Sequence, residues 1–289
     1  MSRLRIRFTK LGKVRWTSHR DLARMWERAF RRTQTPLAYS SGFSPRPKIS
    51  FGLALPTGHE SLAEYLDAEL ADGPAGDAVL EAVGTLPAAL SAALPVGVDA
   101  VAVEPIAPGT PSLQEAVTSC TWQWTAVGAE GAAVSEQQLT DRVAALLAAP
   151  SVTVTRMRKG SEVTDDIRDA VLDLGVLGPA GTDPGAGVRL QADLAAQPRS
   201  LRPSEVLAAL GADLEERDTR RLHQWISRHG ARWEPLAGSP EATERRVPQG
   251  ARHEKGTPPC PTLCRPNHNP NPQLKVETLP TDPVNALGA

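Results

Sequence analysis

Three cysteines in 289 residues are too few for a disulfide framework, so the expected compartment is a reducing cytoplasm. No apolar run reaches the roughly eighteen residues that a membrane-spanning helix needs. The opening Met1-Ser2-Arg3-Leu4-Arg5 has no apolar stretch behind it and does not read as a signal peptide. Aromatic residues are only 4% of the chain; with the heavy use of Ala, Arg, Gly and Pro this points to coding bias, not to a function. No Walker loop, no Gly-x-Gly-x-x-Gly behind a strand and no His-Glu-x-x-His is present, which removes the motif-borne phosphate, dinucleotide and zinc-protease chemistries.

Acidic residues are scarce where bases are dense. Residues 1–50 hold thirteen Lys/Arg against two acids, Asp21 and Glu27. Residues 51–150 reverse this, with thirteen acids against one base, Arg142, so a net charge of −1 conceals a strongly dipolar chain. The basic segment must dock a polyanion, dock an acidic protein, or fold against its own acidic neighbour.

Leu4, Ile6 and Phe8 alternate with Arg3, Arg5 and Arg7 and predict a strand, continued past a Gly12 turn by Val14 and Trp16. Ser18 and Asp21 suit a helix N-terminus. The helix to about Thr33 has an apolar stripe of Leu22, Met25, Trp26, Ala29 and Phe30, with Arg20, Arg24, Arg28 and Arg31 opposite. A loop follows, Tyr39 to Lys48, then strands at Ile49–Leu55 and Tyr65–Leu70, a helix at Gly76–Ala93 with a break at Pro87, and a strand at Val96–Val103. That β-α-β-β-α-β order is the ferredoxin-like one.

The pattern partly repeats after a Pro/Gly stretch. Strands are expected near Trp122 and Trp124, at Val152–Met157 and at Val188–Leu194, with helices at Glu136–Ala149, Pro203–Leu210 and Leu214–His229. The organisation is therefore α+β: two ferredoxin-like βαββαβ-type units in tandem, a short helical segment and a disordered C-terminal tail. The bounds are 1–105 for the first domain, 106–117 for a linker, 118–236 for the second domain and 237–289 for the tail.

The runs Arg15-Trp16-Thr17-Ser18-His19-Arg20-Asp21-Leu22, Glu27-Arg28-Ala29, and Leu37-Ala38-Tyr39-Ser40-x-Gly42-Phe43-x-Pro45-Arg46-Pro47-x-Ile49-Ser50-Phe51, with Glu64-Tyr65-Leu66-Asp67, resemble the radical SAM-linked family, a domain of unknown function. Arg202-Pro203-Ser204-Glu205-Val206-Leu207 is the best match in the second half. Ser44 and Trp16 depart from the pattern, where a histidine and a smaller aromatic are expected. The resemblance implies association with a radical SAM enzyme or a role near RNA metabolism, as a stand-alone member. It implies no activity. Its motif residues here are Ser18, His19, Asp21, Tyr39, Ser40, Gly42, Pro45, Pro47 and Glu64.

Cys260 and Cys264 have the first spacing of Cys-x3-Cys-x2-Cys, but the third cysteine is missing and Cys120 stands alone. No metal or cofactor is expected. Ser18, His19 and Asp21 fit helix capping better than a catalytic triad, which converges from distant segments. In the loop, Pro45 and Pro47 fix the backbone and hold Arg46 outward near Lys48, a frame suited to phosphate or carboxylate. Arg46 could instead pair internally, for example with Glu64. The Arg3/Arg5/Arg7 face could be neutralised by Asp67 and Glu69 across the sheet, with Phe8 and Trp16 pointing into the core.

The reading is an accessory, non-catalytic module that binds RNA or an RNA-associated partner through Arg20, Arg24, Arg28, Arg31, Arg46 and Lys48. The alternatives are a protein-interaction subunit of a radical SAM enzyme, and an RNA-modifying or RNA-processing enzyme.

Overall fold

The alternation of Leu4, Ile6 and Phe8 does produce a strand, β1 (Arg3–Lys10), with all three side chains fully buried. The computed structural model describes residues 2–236 except Lys159; the expected tail at 237–289, with Cys260 and Cys264, lies outside them. Gly12, at a positive φ of 68°, turns the chain into a 3-10 coil over Gly12–Trp16, where a strand was expected. Helix α1 (His19–Arg32) starts at Ser18, whose hydroxyl accepts from the Asp21 N–H. It buries Leu22, Trp26, Ala29 and Phe30, the stripe its spacing predicts. Trp26 meets Phe8 edge to face at 5.0 Å.

The chain continues through β2 (Ile49–Phe51), β3 (Glu60–Glu69), α2 (Pro74–Glu81), α3 (Leu86–Ala93) and β4 (Ala100–Ile106). A short helix, α4 (Leu113–Ala116), lies within the expected linker. Ser112 and Glu115 cap it reciprocally, and its Leu113 is buried with Ala63, Tyr65 and Leu236. The second half comprises β5 (Ser119–Gly128), α5 (Glu136–Ala148), β6 (Thr153–Arg158), β7 (Ser161–Asp166), β8 (Val171–Pro179), β9 (Val188–Ala195), α6 (Pro203–Leu210), β10 (Leu214–Arg228) and β11 (Ala231–Trp233).

One large sheet runs through both halves in the order β4-β1-β3-β10-β5-β9-β8, with β2 also on β3 and β11 also on β10; β6 and β7 pair separately. Every pairing is antiparallel except β10 with β3, where Arg220 and Arg221 lie beside Glu60 and Ser61. Each half has its own apolar core, one around Trp26 and Leu66, the other around Trp124 and Leu190. No helix among the described residues is long and apolar enough to cross a membrane.

Strand β10 overturns the helix expected at Leu214–His229. Its Glu- and Arg-rich sequence favours a helix in isolation, but a central strand position prevails over local propensity. Two register shifts, between Arg217 and Arg220 and between Arg221 and His223, break the period-two signal. The result is a central strand that buries Thr219, Arg221, Gln224 and Ile226.

Strand β1 neutralises itself against its neighbours. Arg5 lies opposite Asp67, and the two form a bidentate pair, Nε to Oδ1 at 2.7 Å and Nη2 to Oδ2 at 2.9 Å, with each residue 2% exposed. Arg7 donates to Glu234 at 2.7 Å and Arg3 to the Thr110 carbonyl at 2.6 Å. Asp67→Ala leaves Arg5 buried without its carboxylate and should lower the unfolding free energy by about 3–5 kcal/mol in urea titrations. Pairing Arg5→Met with Asp67→Leu should restore most of that loss, because two apolar groups remove the desolvation cost together.

Candidate anion-binding site

The 39–48 loop is a small, closed structure. Tyr39 bridges Pro47, the Ser40 N–H donates to the Arg46 carbonyl at 2.9 Å, and the Arg46 N–H donates to Ser40 Oγ at 3.1 Å. Gly42 turns the tip at φ 126°, a conformation L side chains resist, and Phe43 beside it stands fully exposed. Pro45 and Pro47 flank Arg46 and limit its backbone freedom.

Between this loop and α1 lies a cleft of about 410 Å³. Arg20, Arg24 and Arg31 line one side, and Tyr39, Pro45, Arg46 and Pro47 the other. Glu27 is the one carboxylate in the lining, against four guanidiniums. Among the described residues, only Arg24 of these four makes an ion pair, an exposed i,i+3 contact with Asp21 at 3.3 Å. Such an exposed contact contributes little to stability and leaves the guanidinium available.

The structure thus brings Arg20, Arg24, Arg31 and Arg46 together. Arg28 is exposed on α1 outside the cleft lining. Lys48 turns away to Glu69, Nζ to Oε2 at 2.8 Å. His19 packs edge-on against Phe51 at 5.0 Å, while Ser18 accepts from the Asp21 N–H as the helix cap and its hydroxyl bonds the Asp21 carboxylate, so the three do not assemble a triad. Asp21 is held below the usual carboxylate range first by the Ser18 hydroxyl and then by Arg24.

Glu64 lies away from the loop. It is 6% exposed, with Oε1 3.3 Å from Arg221 Nε on β10, so the proposed Arg46–Glu64 pairing does not form. Burial pushes the Glu64 carboxyl up, against the pull of Arg221, Ser61 and Lys10. Lys10, 2% exposed, is pushed down by the same burial, against the pull of Glu64. Its ammonium donates to the Arg15 and Thr17 carbonyls at 3.3 and 3.0 Å, which anchors the turn entering α1. The buried charges therefore support the helix that carries the arginines.

Trp16 was expected in the core and is 64% exposed instead, because the 3-10 coil replaces the strand that would have turned it inward. Arg15 covers one face of its ring at 5.3 Å from the centroid. Gly58 lies so close that a Cβ there would come within 2.8 Å of the ring. The sequence signal that marks Trp16 as surface is Gly12, whose turn breaks the strand.

The class defined by these features is a mixed α/β protein with one large, mostly antiparallel sheet and a basic cleft on its first half. The chain belongs to the family described as "Uncharacterized protein conserved in bacteria (DUF2344)", matched over residues 3–203. The match takes in α1 and the loop and stops before β10. No curated protein matches the chain.

Ser18→Ala removes the N-cap and should cost about 1 kcal/mol in thermal unfolding. It should also return the Asp21 carboxyl toward its ordinary value in an NMR titration. In the wild type, what Asp21 adds to stability is present above the unfolded carboxylate pKa and is lost as pH falls through its lowered folded value.

Proposed function

We propose that this protein is a non-catalytic module that binds single-stranded RNA across the cleft between α1 and the 39–48 loop. The observation that carries the proposal is the clustering of Arg20, Arg24, Arg31 and Arg46 on a surface where one exposed contact to Asp21 is their only internal ion pair among the described residues. Unmatched guanidiniums in a concave surface recognise phosphate. Phe43 and Tyr39 stand exposed on the loop, and unstacked bases can lie on such rings. A duplex keeps its bases stacked and offers those rings nothing.

The radical SAM association implied by the resemblance is part of the same proposal: a partner enzyme supplies the chemistry and this chain holds the RNA. The tandem ferredoxin-like reading is a proposal as well. It is supported by the matching strand orders of the two halves, β4-β1-β3-β2 and β10-β5-β9-β8, each with helices after its first and third strands. The β6–β7 hairpin is then an insertion in the second unit.

Fluorescence anisotropy with a labelled single-stranded RNA of about 12 nucleotides tests the reading. Affinity should fall steeply between about 50 and 200 mM salt. Arg24→Glu with Arg46→Glu should weaken binding by at least about tenfold and flatten the salt dependence. Phe43→Ala should cost about 1–3 kcal/mol of binding if a base stacks there. Affinity unaltered by the double charge reversal ends the RNA reading. Recovery of a radical SAM protein from nuclease-treated extract, with no RNA binding by the pure chain, would assign the basic surface to an acidic protein instead.

A further inference from the structure

The second half carries a separate cleft of about 780 Å³, within the size range of small-molecule sites. Three segments meet around it: Leu53–Pro56 from the first half, the Arg156–Met157 stretch of β6, and residues 194–205 leading into α6. The Arg202-Pro203-Ser204-Glu205 run singled out in the sequence lies on that last wall, and the RNA proposal makes no use of it.

The floor is built. Arg221 lines it with 1% of its surface exposed. Both terminal nitrogens donate to the Leu53 carbonyl at 3.2 Å, and the guanidinium lies over the Trp122 ring at 4.9 Å. Its Nε and the facing Glu64 Oε1, 3.3 Å apart, complete no hydrogen bond. A buried cation is thus fixed in place without rotamer freedom to lose on binding.

The charges around the cleft do not cancel. Arg156 reaches Asp165 at 2.9 Å, and Arg199 reaches both oxygens of Glu205 at 2.9 and 3.1 Å and Asp165 at 3.1 Å. These two arginines are satisfied by two carboxylates, and Arg221 has Glu64. Arg202, exposed on the rim, has no ion pair among the described residues and leaves one positive charge in excess. The lining also has apolar members beside these charges. Met157 stands 65% exposed and is joined by Leu53 and Pro198. Burial pushes the Cys120 thiol up to about 11, so it stays neutral and belongs to the apolar lining.

We propose that this cleft binds a small organic anion, with its carboxylate or phosphate at Arg202 and its apolar body against Met157, Leu53 and Pro198. Binding is non-covalent and independent of the RNA surface on α1.

Benzoate and phenyl phosphate, titrated into the full-length protein by calorimetry with inorganic phosphate as the comparison, test this. At least one of the two organic anions should bind saturably, about tenfold or more tighter than inorganic phosphate; which one binds better tells whether the site takes a carboxylate or a phosphate. Arg202→Glu, at an exposed position, should weaken that binding by about tenfold or more. Met157→Asp, a second variant at an exposed position, should weaken it as well. Arg24→Glu with Arg46→Glu should leave it unchanged. Failure of both organic anions to saturate overturns the proposal. So does binding indifferent to both cleft variants, binding lost in the Arg24/Arg46 variant instead, or inorganic phosphate binding as tightly as the organic anions.

Discussion

Arg221 stands where the two halves of the molecule meet, with the buried charges of Glu64 and Lys10 beside it. It lies on β10, the strand hydrogen-bonded to β3 of the first half and to β5 of the second. A guanidinium cannot shed its proton to enter a dry site, so its burial requires compensating partners. Glu64 comes from β3, the Leu53 carbonyl from the segment after β2, and the Trp122 ring from β5. Those partners come from both halves, so the ion cannot be satisfied unless the halves close on it. Lys10 extends the network to the turn that launches α1.

The basic first segment divides its charge by geometry. On β1 the side chains meet neighbouring strands and terminal segments, so Arg5 takes Asp67, Arg7 takes Glu234 and Arg3 takes a carbonyl. On α1 the polar face looks outward, and the acids of residues 51–150 that could have covered it lie elsewhere. Internal neutralisation and an external docking surface thus hold for different elements of the same segment. The deciding quantity is burial: Arg5 and Asp67 are dry, where loss of one partner costs several kcal/mol, whereas Arg24 and Asp21 are half in water, where the pair contributes little.

Much of the first half was legible in sequence because its signals are local. The Leu4/Ile6/Phe8 alternation, the Ser18 cap, the Leu22–Phe30 stripe and the Pro45-Arg46-Pro47 frame each depend on residues a few positions apart. The same locality misled at Trp16, where alternation continued past Gly12 although the backbone had already turned. Lys48 lies two residues from Arg46 in sequence, yet its ammonium goes to Glu69. The second half was less readable. Strand β8 is an edge with bulged pairing and two exposed leucines, Leu172 and Leu177, and its alternation is correspondingly weak.

By itself the sequence determined the charge segregation, the helix with its arginine face and the stiff loop beside it, since helix periodicity and proline geometry act within a few residues. Tertiary structure decided that these arginines share one cleft and that Glu64 serves Arg221 instead of Arg46. It also decided that a run as charged as Leu214–Arg228 becomes a central strand. The physical reason is the same throughout: a charged side chain goes to the partner that compensates its lost hydration, and that partner is chosen by distance in space. Only the folded structure establishes that distance.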